Sequence, residues 1–521
     1  MFIRTRWNKF LEHIINNKLD FLIVFLLSLI ILTWLQATPT FTNPEAFYHA
    51  QVVETMQPDL FLNSSTPIPG MFNLGNYSDN SQLYHFLLVP FARLLPTFIA
   101  LKLASILFSS LLLLIFYWWL KKHQGKWPFV FILMLLGTQA FVASLSSVTV
   151  VSLALIVLLL GVEAVIHYRY WLVFLISILF IWLSQAFILL LLFIIIWLLV
   201  GLFYHKSKRD RFREKLNSLK QVIVSKLGIN HGRKKNKWLV LLMGGLGSGL
   251  AIIINPQWPQ NIIFYFKRFD LAMDSSQRVF NSVLSGLNIL FVFMLLTIVV
   301  VLFSRRNLSK LSLVAGVFDL FLLAWVINTS GQVEYFVFWS ALFISLVWRD
   351  LLGDTRWRAI WRQISRKKAC QAATVVVILG LVLVAGKGLY LTRMGSLQGI
   401  RLTNLSEVAE WLKYHVPDNS LIINDNWQDW SSLVYYDDSN RYFIGLEPQF
   451  LFLEQPQTAT DYFNLVSCKS KLNPKLVLRD RLSGDYLLIN NKNIAFNKQI
   501  KDNIYFQLVY EDPEAWIYKI Q

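Results

Sequence analysis

Over its first three quarters the chain alternates long uninterrupted apolar runs with short polar clusters. Runs of helical length fall at 21–35, 97–120, 127–145, 148–166, 171–184, 186–204, 238–254, 286–304, 311–328, 335–348 and 372–391, which predicts about eleven transmembrane helices. The run at 171–184 is short for a span and is open to a tilted or partly re-entrant reading. Residues 81–95 are also too short to cross and carry His85 and Arg93, so this segment is expected to lie in the interface or dip into it. Beyond residue 393 the pattern changes to short stretches of mixed period. A capped amphipathic helix is expected over 404–415, with strands over 421–424, 441–444, 486–490, 506–510 and 515–520. The expected fold is an α-helical polytopic membrane domain, residues 1–393, followed by an extracytoplasmic α/β domain, residues 394–521.

Charge orients this arrangement. The net charge of +18 is unevenly spread: residues from Met394 onward hold 12 Lys/Arg against 16 Asp/Glu, so the preceding chain carries +22. Those cations sit in the short loops between apolar runs, above all in the inner loop 205–237, as the positive-inside rule requires. They point to lipid and not to nucleic acid as the partner. The N-terminus is therefore placed in the cytoplasm of a multi-pass cell-membrane protein. The loops 37–96 and 255–285 and the C-terminal domain are placed outside. No small-residue cleavage site follows the first run, which reads as a retained helix. Cys370 and Cys468 offer neither a disulfide framework nor a metal knuckle. Asn-X-Ser/Thr triplets at Asn63, Asn76, Asn328 and Asn404 all fall on the outer side.

Chemistry concentrates just after the first run. In Asn43-Pro44-Glu45-Ala46-Phe47-Tyr48-His49, Asn43 suits an N-cap and Pro44 a first helical turn. Glu45, Tyr48, His49 and Val52 then share one helix face. An acid, a phenol and an imidazole at a membrane surface fit either a reactive site or an interfacial anchor. In the second outer loop the adjacent Lys267 and Arg268 could clamp a lipid phosphate or make ordinary headgroup contacts. The glycine-rich stretch 244–249 lies inside an apolar run without a following Lys-Ser/Thr, so it reads as a helix-packing device.

The order of parts resembles the GT-C polytopic glycosyltransferases, among them protein O-mannosyltransferases and aminoarabinose transferases. Residues 43–49 look like the acidic first-loop motif of that superfamily. Residues 73–95, followed by Ala100-Leu101-Lys102-Leu103-Ala104-Ser105, look like its next block. The resemblance implies an inverting transfer of a sugar from a polyprenyl-phosphate donor to a glycan, lipid or protein acceptor. Glu45 would be the general base, with Tyr48 and His49 orienting it or the acceptor. Lys267, Arg268 and Lys102 would face the phosphate, and Asp79 and His85 are further candidate substrate contacts. The outer-domain stretch 425–430 resembles the acceptor-side Trp/Asp motif of relatives, which adds Trp427 and Asp429 as candidates, with a structural aromatic turn as the competing reading. No cofactor is expected, and metal dependence is doubtful because Pro44-Glu45 stands where many relatives have two adjacent acids. Glu334-Tyr335 likewise replaces an Arg-Tyr pair. A noncatalytic GT-C scaffold whose outer domain binds a glycan or partner protein is the alternative.

Overall fold

The computed structural model describes residues 2–56, 79, 81–216, 237–255, 258–259, 261–262, 288–304, 308–328, 333–353, 363, 368–446, 448, 451–452 and 455–521. Ten helices come first: α1 (Phe2–Gln36), α2 (Glu45–Met56), α3 (Gln82–Ala92), α4 (Thr97–Lys122), α5 (Pro128–Gly137), α6 (Gln139–Leu145), α7 (Val151–Ile166), α8 (Tyr170–Leu183), α9 (Phe187–Leu216) and α10 (Lys237–Ile253). Helices Asn288–Ser304, Lys310–Asn328, Val333–Leu352 and Lys368–Leu397 follow among the described residues. Among the described residues six helices are long and apolar enough to cross a membrane. A bent pair and four shorter apolar helices cover the other expected runs. At 14 residues α8 extends only about 21 Å, short of a ~30 Å hydrocarbon core.

One expected element is corrected. The run at 127–145 is not a single span: α5 and α6 meet at an angle of 88°. The bend is placed by Thr138, whose extended backbone interrupts the helix, while its Oγ1 donates to the Met134 carbonyl left at the break, 2.9 Å away. Beside it, Gly388 lets helix Lys368–Leu397 come so close that a Cβ there would lie 2.8 Å from the Gly137 oxygen. A side chain at Gly388 would drive the helices apart, whereas a Cβ on Gly137 would meet Val384 and Ala385 at ordinary contact, 3.4–3.5 Å.

Several polar side chains inside the bundle bond across helices, which satisfies them away from water. From α4, Ser105 and Ser109 donate to the carbonyls of Ser147 (2.7 Å) and Leu145 (2.8 Å), which fastens the α6–α7 turn. In helix Lys310–Asn328 the buried Asp319 accepts from Ser340 at 2.8 Å. The glycine run in α10 packs as expected: a Cβ on Gly247 would lie 2.5 Å from the Phe174 carbonyl of α8.

The C-terminal part contains helices Ser406–His415, Trp430–Tyr436, Pro456–Val466 and Ile494–Lys501 around a five-stranded sheet. Its strands are β3 (Leu421–Asn424), β4 (Arg441–Tyr442), β5 (Tyr486–Asn490), β6 (Phe506–Glu511) and β7 (Ala515–Ile520), in the order β4-β3-β5-β7-β6. β3 runs parallel to β4 and β5, and β7 antiparallel to β5 and β6. β3 is buried throughout, as a central parallel strand covered on both faces must be. Two apolar clusters fill those faces, one around Ile423, Leu487 and Tyr518 and the other around Trp430, Ile422 and Leu488.

This domain is tied to the segment between α1 and α3. β1 (Thr40–Phe41), directly after α1, pairs antiparallel with β2 (Ile400–Arg401), directly after the last membrane helix. Glu54 of α2 accepts from Tyr435 Oη at 2.7 Å and from Thr97 Oγ1 of α4 at 2.6 Å. One carboxylate thus joins α2, the membrane helix α4 and the C-terminal domain.

Candidate active site

Helix α2 starts where its sequence requires. Asn43 Oδ1 accepts from the Glu45 N–H at 3.0 Å, and Asn43 Nδ2 donates to Glu45 Oε2 at 3.2 Å. The negative side chain thus stands at the positive end of the helix dipole. Phe47 points inward and packs edge-on against Phe41, Phe98 and Tyr435. That aromatic cluster sets the rotation of α2 and turns Glu45, Tyr48 and His49 toward its other side. Glu45 is exposed, Tyr48 half-buried and His49 buried.

His49 does not stand alone. Its Nδ1 lies 2.7 Å from His85 Nε2 of α3, and His85 Nδ1 lies 2.7 Å from Asp79 Oδ2. Asp79 Oδ1 accepts from the Ser81 N–H at 2.9 Å, so the same carboxylate organises the start of α3. All three side chains are buried. Burial disfavours the charged imidazolium and holds His49 well below the usual histidine range, and a second proton on the adjacent His85 would act in the same direction. The Tyr84 ring stands edge-on to His49, centroids 5.1 Å apart, and Tyr48 stands over His85 at 5.7 Å. Burial, with Glu45 nearby, pushes the Tyr84 phenol upward. Glu334, at the start of helix Val333–Leu352, is also within electrostatic reach of Glu45. The following residue, Tyr335, is buried, with Ser184 nearby.

The other sequence candidates fall elsewhere. Lys102 Nζ donates to the carbonyls of Thr38 (2.5 Å), Thr40 (2.8 Å) and Gln36 (3.4 Å), at the end of α1. An ammonium has three hydrogens, and all three are directed at backbone. Lys267 and Arg268 lie outside the described residues. Trp427 and Asp429 form a 3-10 turn after β3, in which Trp427 packs on the outer-domain core. Asp429 Oδ2 accepts from Asn490 Nδ2 at 2.7 Å. The neighbouring Asp425 accepts from the Asn490 N–H (2.9 Å) and from Asn493 Nδ2 (2.8 Å). Burial pushes Asp425 up to about 7 and Asp429 up to about 6. The tryptophan that reaches the first outer helix is Trp430, whose ring lies 6.3 Å from Tyr48.

Three features escaped the sequence reading: the direct His49–His85 contact, the Asp79–His85 contact, and the approach of Glu334 to Glu45. Only the second had a visible signal, an acid six residues before a histidine at the opening of a short apolar helix.

No family model and no curated protein matches this sequence. Solved structures do match. ArnT from Cupriavidus metallidurans, solved bound to undecaprenyl phosphate, superposes with a TM-score of 0.51 at 14% identity, covering 96% of this chain and 97% of that one. The mycobacterial arabinofuranosyltransferase AftD gives 0.57 at 12% identity over 96% of this chain, which spans 40% of AftD. The Archaeoglobus fulgidus oligosaccharyltransferase tethered to an acceptor peptide gives 0.51 at 11% identity, covering 96% of this chain and 74% of that one. A multi-pass helical domain with a sheet-containing C-terminal domain, superposable on these three glycosyltransferases over nearly its whole length, makes this chain a membrane protein of the GT-C fold.

Proposed function

We propose that the protein is an inverting membrane glycosyltransferase that moves a sugar from a polyprenyl-phosphate donor to an acceptor hydroxyl at the outer membrane face. The observation that carries this reading is the GT-C fold shared over 96% of the chain with ArnT, a structure solved with undecaprenyl phosphate bound. Residues 1–393 would form the membrane domain, with a cytoplasmic N-terminus, and residues 394–521 the outer domain. Glu45, exposed at the start of a helix wedged between α4 and the outer domain, suits a general base. It would take the acceptor proton as the acceptor oxygen attacks the anomeric carbon from the face opposite the phosphate. The bond from that carbon to the phosphate oxygen breaks, and polyprenyl phosphate leaves with the electron pair. A phosphate leaving group already carries its charge, so cations suffice to stabilise it, and Lys267 with Arg268 are proposed for that role. Trp427 and Asp429 stand near the carboxyl ends of parallel strands β3 and β5, the usual place for a ligand in an open α/β sheet, and are proposed to meet the acceptor.

The noncatalytic scaffold is favoured by one observation: Lys102, expected to face the donor phosphate, directs its donors at backbone carbonyls. Purified protein given polyprenyl-phosphate-linked hexoses and pentoses separates the readings. Transfer or donor hydrolysis is expected, and Glu45→Gln should slow it by roughly 10²–10⁴-fold without unfolding the protein. The enzyme reading fails if no donor is consumed and Glu45→Gln supports the cellular phenotype fully.

A further inference from the structure

Three buried side chains, His49 of α2, His85 of α3 and Asp79 just before α3, form an unbroken hydrogen-bonded line, Asp79–His85–His49, and its chemistry dictates where the protons sit. A carboxylate only accepts, so His85 Nδ1, 2.7 Å from Asp79 Oδ2, must carry a hydrogen. The remaining nitrogen of a neutral His85, Nε2, is then an acceptor. His49 Nδ1, 2.7 Å away, must donate to it. A neutral His49 with its hydrogen on Nδ1 has a bare lone pair on Nε2. The tautomer of His49 is thus set by Asp79, through a residue between them.

That lone pair has no hydrogen-bond partner among the described residues. Nor does the hydroxyl of Tyr84, fully buried with its ring beside the His49 ring and within electrostatic reach of Glu45. A polar atom is seldom left unbonded in a protein interior, as the Tyr84 hydroxyl is, whereas His49 Nε2 is not among the sealed atoms and its lone pair is open to a polar guest. A bare imidazole nitrogen needs a donor, and a phenol can give or take. A hydroxyl group, as a sugar bears, answers both.

We infer that Asp79 and His85 are positioning residues that act through His49, holding its Nε2 unprotonated to receive a substrate hydroxyl beside Glu45. The substrate side of this inference rests on the glycosyltransferase reading, whereas the proton arrangement does not. Asp79→Asn keeps the shape but puts an NH₂ donor opposite His85 Nδ1. His85 must then carry its hydrogen on Nε2 and donate to His49 Nδ1, which moves the His49 hydrogen to Nε2. An Asp→Asn change next to a catalytic histidine is known to impose the wrong tautomer in this way. One substitution should therefore reverse the whole line, two residues away from His49.

The test is nitrogen-15 NMR of full-length protein in lipid nanodiscs with its histidine rings labelled, the His49 signals being identified by their loss in His49→Gln. The wild type at neutral pH is expected to show an unprotonated Nε2 at His49. Asp79→Asn is expected to show that nitrogen protonated, and Asp79→Glu, which keeps a carboxylate, to restore the wild-type pattern. Donor turnover should fall about 10²-fold or more in Asp79→Asn and recover in Asp79→Glu. A protonated His49 Nε2 in the wild type, as a positively charged His85 would produce, overturns the inference without recourse to any variant. So does a His49 spectrum indifferent to Asp79→Asn. Failure to detect transfer with any donor would count against the glycosyltransferase reading alone, because the spectra test the proton arrangement independently.

Discussion

Lys102 and Arg393 share a task at the outer end of α1. The last carbonyls of a helix lack intrahelical partners, and those of α1 are nearly all served from other helices. Arg393 donates to Trp34 (2.5 Å), Leu35 (3.2 Å) and Ala37 (2.9 Å), while Lys102 takes Gln36, Thr38 and Thr40. Two cations at the negative end of a helix dipole also interact favourably with it. Lys102→Met keeps length and apolar stem but strips every donor. It should lower stability on the order of 2 kcal/mol, seen as a lower unfolding temperature in detergent, chiefly through the Thr38 carbonyl left unmet, since Gln36 and Thr40 keep other donors. A lysine whose task was to bind donor phosphate would instead leave the unfolding temperature unchanged and raise only the donor concentration needed for turnover. His49, Tyr48 and Glu45 were legible as one helix face because a period of 3.6 brings i, i+3 and i+4 together. The partners of His49 were not, since 36 residues separate it from His85.

At the scale of elements, the outer sheet is locked at the carboxyl ends of β3 and β5. Asp425 and Asp429 follow β3 and accept hydrogen bonds from Asn490, the last residue of β5, and from Asn493 beyond it. Burial raises both acids, to about 7 and about 6, above the value near 4 of an unfolded chain. Between those limits the folded domain binds more protons than the unfolded one. Their contribution to stability is therefore fully present below about pH 4 and lost as pH rises through 6 to 7. Chemical denaturation of the full-length protein, followed by tryptophan fluorescence, should show the outer domain less stable at pH 8 than at pH 5. Asp425→Asn should flatten that slope. A stability that climbs from pH 5 to pH 8 in the wild type, with no change in Asp425→Asn, would show that these acids are not held as argued. The α5–α6 break belongs to this scale too. Nothing in the apolar run 127–145 marked it, because Gly137 and Thr138 are common in uninterrupted membrane helices and only the close approach of Gly388 gives the bend its reason.

For the whole molecule, the pairing of β1 with β2 and the bonds to Glu54 hold the first outer loop and the C-terminal domain on the same side of the helical bundle. The positive-inside rule predicts that this side is external. In a background lacking Cys370 and Cys468, single cysteines introduced at Asn63, Ser275 and Ser439 should react with an impermeant thiol reagent on intact cells. Cysteines at Asn217 and Ser365 should react only after permeabilisation. Labelling of the Asn217 site on intact cells would reverse the orientation.

What the sequence determined by itself follows from patterns that act locally. Apolar runs of membrane length could only be helices, because backbone groups in lipid must bond within their own segment. Alternation and turn residues beyond 393 marked the strands of the outer domain, and β3, β5 and β7 form where that pattern placed them. Asn43 and Pro44 announced the helix that carries Glu45. Tertiary structure decided what those helices meet. It spent Lys102 on the end of α1, turned Asp425 and Asp429 toward Asn490 and Asn493, laid Trp430 instead of Trp427 over Tyr48, and joined His49 to His85 and Asp79. Each of these choices depends on distances between segments tens or hundreds of residues apart. Hydrogen bonds and buried charges are settled over three or four ångströms, a scale that periodicity along one segment does not reach.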